Sequence, residues 1–101
     1  MNWLLQIDIE LQRIRPNENP GRTRTTARRI AGIALRHFYH QSSEDYIKLI
    51  SSAINDTTFP SDVHSALERL AARLDANFNS PSIDPINDGM IIVEFVKNKT
   101  S

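Results

Sequence analysis

Arg22-Thr-Arg-Thr-Thr-Ala-Arg-Arg-Ile-Ala-Gly-Ile-Ala-Leu-Arg-His-Phe-Tyr-His40 is the stretch that decides the fold. At helical spacing Ala27, Ile30, Ala31, Ala34, Leu35 and Phe38 share one broad face. Arg22, Arg29 and Arg36 recur every seven residues opposite it, with His40 four after Arg36. The pattern predicts a long amphipathic helix. Its three buried alanines would let a neighbouring helix approach closely, which makes it the expected centre of a bundle.

Before this stretch, Pro16-Asn-Glu-Asn-Pro-Gly21 is a turn cluster. Leu4, Ile7, Leu11 and Ile14 then give a first helix, with Asn2 as cap and Pro16 as stop. The alternation of Ile7, Ile9 and Leu11 with Asp8 and Glu10 would suit a strand, but the flanking residues do not extend it. After His40, Ser42 followed by Glu44 and Asp45 is the expected start of a third helix striped by Tyr46, Ile47, Ile50, Ala53 and Ile54. Ser61 is the expected cap of a fourth helix, carried by Val63, Leu67, Leu70, Leu74 and Phe78.

The last segment reads two ways. Met90-Ile-Ile-Val-Glu-Phe-Val96 has strand propensity, whereas Asp84 as cap and Pro85 in the first turn would start a helix with Ile86, Met90, Val93 and Val96 inward. A lone strand would have no partner for its ladder hydrogen bonds, so helix is the expectation over 86–97. The fold class is therefore all-α, a four- to five-helix bundle, with residues 1–101 as one domain.

Composition narrows the function classes. Twelve Lys and Arg balance twelve Asp and Glu, so no overall field draws the chain to nucleic acid or an anionic membrane. No segment approaches the roughly 18 apolar residues of a membrane span, and Asp8 and Glu10 interrupt the apolar start, which does not read as a signal peptide. The absence of Cys removes disulfides and thiolate chemistry. The cytoplasm is the expected compartment, where the sequons at Asn55 and Asn98 have no meaning.

Arg22, Arg24, Arg28, Arg29 and Arg36, with His37 and His40, make the central stretch locally basic. A phosphate backbone could follow such a row, but no aromatic platform is interleaved with it. A solvated face, paired with Glu18, Glu44 or Asp45, is the favoured reading. His37 and His40 are near ligand spacing without a third ligand, and His64 stands with Glu68 four residues later. No Gly-x-Ser-x-Gly elbow or Gly-rich phosphate loop is present. No catalytic residue, metal ligand or cofactor is therefore assigned. The aromatic residues read as core anchors, one or two per segment. Gly32, inside a helix and off the apolar face, suggests either the close approach of another chain or a tolerated imperfection.

Ala27-Arg-Arg-Ile-Ala-Gly-Ile-Ala-Leu35, Asp45-Tyr-Ile-Lys-Leu-Ile50 and Ala71-Ala-Arg-Leu-Asp75, in this order over nearly the whole chain, resemble the HEPN family of small helical bundles. The ribonucleases of that family carry an Arg, four to six residues and a His near the later helices. Here no His follows His64, and Arg36 to His40 leaves only three residues between, on the second helix, so nothing transfers as catalytic. The resemblance is to non-catalytic members, which serve as nucleotidyltransferase partners or as nucleotide- and protein-binding modules, often as dimers. It implies a non-enzymatic interaction or regulatory module, a homodimer that meets a protein partner through the face of Arg22, Arg29, Arg36 and His40 or through the Gly32 surface. The alternative is a nucleic-acid-binding or toxin-like, ribonuclease-related protein that uses the same basic face.

Overall fold

The computed structural model describes residues 2–15, 20–42, 45–72 and 84–100, which form five α-helices and no strand. The first, α1 (Trp3–Gln12), begins where the Asn2 side chain accepts the Leu4 N–H at 2.9 Å, as expected of an Asn cap.

The central helix, α2 (Pro20–Phe38), starts on a proline whose missing N–H is no loss at a first turn. It stops because His40 turns into the left-handed region, at φ 54°. The Gln41 N–H then reaches the Arg36 carbonyl at 3.0 Å and the His40 N–H reaches the His37 carbonyl at 3.3 Å. These two bonds are the paired closures of a Schellman cap, with a histidine where glycine usually stands.

Two expected caps move. The third helix, α3 (Tyr46–Ile54), is capped by Asp45, which accepts the Lys48 N–H at 3.1 Å, and not by Ser42. Glu44 lies outside the described residues. The fourth, α4 (Ser61–Ala71), takes Ser61 as its first residue after an extended Pro60, and no side chain caps it. Leu74 and Phe78, expected further along this helix, lie outside the described residues. The last segment is helical, α5 (Pro85–Thr100), and Asp84 accepts the Asn87 N–H at 3.1 Å. Its β-branched run buries Ile92, Val93 and Val96 on one stripe, so packing overrides strand propensity.

Helix α2 touches all four others, with Ala27, Ile30, Ala31, Ala34 and Leu35 fully buried. The Cβ-less Gly89 of α5 lies against Ile30 and the Ala27 carbonyl, and Phe95 meets Phe38 further along at 6.1 Å. The two helices therefore run parallel and begin at the same end. At the opposite end Phe38, Phe59 and Phe95 close the core, with Phe59 and Phe95 edge to face at 5.1 Å. The aromatic residues expected as anchors include Phe78, which lies outside the described residues.

Candidate functional site

Helix α1 lies along one side of the arginine row, antiparallel to α2, and pairs with its middle, although Arg29 stays exposed and only Arg36 is half-buried. Arg29 stands 3.6 Å from a Glu10 carboxylate oxygen. Arg36 donates from Nη2 to the Gln6 side-chain carbonyl at 2.9 Å, and its guanidinium carbon lies 5.9 Å from the Tyr46 ring centroid. Arg22 and His40 are exposed at the two ends of the row. Of the expected acidic partners, Glu18 and Glu44 are outside the described residues and Asp45 caps α3. The partners found, Glu10 and Gln6, belong to the first helix, far from the row in sequence.

Where the row meets the start of α1, Trp3, Gln6, Ile33, Arg36, His37, His40 and Gln41 line a shallow cleft of about 260 Å³. The Trp3 ring stacks on His37, with centroids 4.8 Å apart and planes 15° from parallel, and the two histidine rings are 6.4 Å apart. The aromatic surface missing from the row itself is thus delivered by another helix. The left-handed turn of the α2 cap sets the position of His40 at the mouth of this cleft. The cleft combines a guanidinium, two imidazoles and an indole, a set suited to an anionic group beside a flat ring. Among the described residues no three His, Asp or Glu side chains are placed to hold a metal ion.

Gly32 is a correction. It is buried, and a Cβ built on it would fall within the Tyr46 side chain. The close approach that requires glycine is made by α3 of the same chain, not by the surface of a second one.

The other polar groups singled out in the sequence tie helices together. His64 sets Nε2 2.7 Å from the Ile54 carbonyl and Nδ1 3.0 Å from Glu68, joining the end of α3 to α4. Tyr39 donates to Asp56 at 2.6 Å. Burial, reinforced by this bond, pushes the Tyr39 phenol well above its ordinary range. Hydrogen bonds from Thr58 first and Tyr39 second hold the Asp56 carboxyl below its usual one. Asp88, buried in α5, accepts Arg69 Nη2 at 2.8 Å and Arg69 Nε at 3.1 Å to each oxygen. This fork holds α4 to α5 and raises the Arg69 pKa.

No family model matches the chain, and neither a curated protein nor a solved structure does. No helix among the described residues is long and apolar enough to cross a membrane.

Proposed function

We propose that the protein is a non-enzymatic helical interaction module that works as a homodimer, through the outer face of α1. One observation carries this reading. Six of the ten residues of α1 are apolar, yet only Ile7 is buried. Trp3 and Leu11 pack at the margin of the core, whereas Leu4, Leu5 and Ile9 are not among the side chains that do so, and Leu5 is 51% exposed. Leu5, exposed, and Ile9, half-buried, are one turn apart and share a face, the spacing with which a helix seats on a partner helix. A two-fold axis across this face would pair it with itself and close the assembly, and a chain of zero net charge does not repel its copy. The reading agrees with what resemblance to the non-catalytic HEPN-like proteins implies. Its test is the mass in solution: wild type should sediment as a dimer and Leu5→Glu with Ile9→Lys as a folded monomer. A wild-type monomer at tens of micromolar would overturn it.

The Trp3–His37 stack beside Arg36 and His40 favours a second reading, a site for single-stranded nucleic acid in which a base stacks and a phosphate meets Arg36. Against it, Arg29 and Arg36 already have partners on α1. Binding of mixed-sequence RNA that weakens steeply with salt and with Arg36→Ala would support it, and undetectable binding at low salt would exclude it.

A further inference from the structure

A different part of α2 carries an anomaly that the interaction reading does not use. Arg24 is only 6% exposed. Among the described residues its Nε and Nη2 atoms are buried without a hydrogen-bond partner, although a guanidinium brings five donors and a charge that is never lost. Burying such a group uncompensated is among the most destabilising arrangements a fold can contain. The nearest turn of the same helix brings a second cation, not an anion. Arg28 donates from Nε to the Leu70 carbonyl at 2.7 Å and from Nη2 to the Ala72 carbonyl at 3.4 Å. Burial, with the Arg24 charge as the second cause, holds the Arg28 pKa below its ordinary value.

The buried acidic side chain at the start of α5 is committed elsewhere. Asp88 precedes the Gly89 that packs on Ala27, and its two oxygens are held in the fork of Arg69. Among the described residues this end of the bundle gathers Arg24, Arg28 and Arg69 against the buried Asp88, with the exposed Asp84 capping the start of α5. The starts of α2 and α5 lie at the same end, and both direct the positive pole of a helix toward it.

We propose that Arg24 and Arg28 form a binding site for a phosphate-class oxyanion, which supplies the negative charge that the Arg24 guanidinium lacks. Arg24 offers the planar fork of its Nε and Nη2 to phosphate oxygens, and Arg28, one turn on, adds its charge and the donors it does not spend on the Leu70 and Ala72 carbonyls. The anion restores a balanced ion pair to a buried cation, so its binding and the stability of this end of the bundle are one property.

The experiment is thermal unfolding of the intact chain with inorganic phosphate, against chloride at matched ionic strength. Phosphate at ten times its dissociation constant should raise the midpoint by about 5–10 °C. Arg24→Met, which keeps the shape and removes the charge, should lose that rise and be at least as stable as wild type without phosphate. In case the variant does not fold, the arginine Nε–Hε region of the wild-type nitrogen-15 NMR spectrum is titrated with phosphate, and two of its resonances should move together. An unchanged wild-type midpoint, an equal rise in Arg24→Met, a larger rise with acetate than with phosphate, or an arginine spectrum indifferent to phosphate would each overturn the assignment.

Discussion

The Tyr46 ring occupies the space above Gly32 in which any other residue would place its Cβ. Helix α3 can settle onto α2 only because that position is bare. Gly32→Ala should therefore destabilise the fold, although alanine is the better helix former by about 1 kcal/mol. Overpacking of this kind costs about 1–3 kcal/mol. Urea denaturation should show the loss, and in a Tyr46→Gly background the same substitution should cost less than in wild type, since the ring and the Cβ that it would meet have both gone. A Gly32→Ala protein as stable as wild type would refute the packing explanation.

His40 occupies the left-handed position of the α2 cap. His40→Gly removes the steric conflict there and should stabilise the protein by about 1 kcal/mol. If the cleft binds RNA, the same substitution should weaken that binding, so stability and binding would move in opposite directions. Melting and RNA titration on one sample check both.

Arg69 and Asp88 form a forked pair whose carboxylate is buried and whose guanidinium is partly exposed. Asp88→Asn keeps the volume but removes the charge, and breaking the pair should cost about 2 kcal/mol, less than for a fully buried pair because Arg69 remains hydrated on one side. A double-mutant cycle with Arg69→Met should return a coupling energy of at least about 1 kcal/mol. Additive losses would show that the two side chains act independently.

The Tyr39–Asp56 bond links stability to pH at both extremes. The Asp56 carboxyl is held below its ordinary value in the fold, so its contribution is present above the unfolded value of about 3.9 and is lost as pH falls through the lower folded one. The Tyr39 phenol is raised, so its contribution is present below the unfolded value of about 10 and is lost as pH rises beyond it. Thr58→Val should flatten the acid limb more than Tyr39→Phe, because the Thr58 bond is the larger cause, and only Tyr39→Phe should change the alkaline limb. Chemical denaturation from pH 2 to 11 distinguishes the two.

The outer face of α1 makes a prediction beyond oligomer mass. Trp3 is the single tryptophan and stacks on His37, so its emission reports the seating of α1 on α2. Leu5→Glu should leave that emission unchanged while abolishing the dimer, since Leu5 points away from the stack. A red-shifted Trp3 in this variant would mean that the face is needed for the fold and not for assembly.

The sequence by itself determined what depends on neighbours three and four residues apart. The helical class, the central α2 with its buried alanines and the Asn2 and Asp84 caps follow from local periodicity and end chemistry, whereas the helix over 86–97 needed the further argument that a lone strand would have no partner. Ser42 misled because Asp45 also adjoins the start of α3 and takes the cap, and Ser61 because α4 begins straight after an extended Pro60, which makes Ser61 its first helical residue. Only the tertiary structure decided which helix lies on which face. It put α1 over the arginine row, brought Trp3 to His37, closed Tyr46 onto Gly32 and buried Arg24 beside Arg28. A helical wheel assigns a residue its direction around one axis, but whether solvent or another helix lies in that direction depends on how the helices pack, which no local pattern encodes.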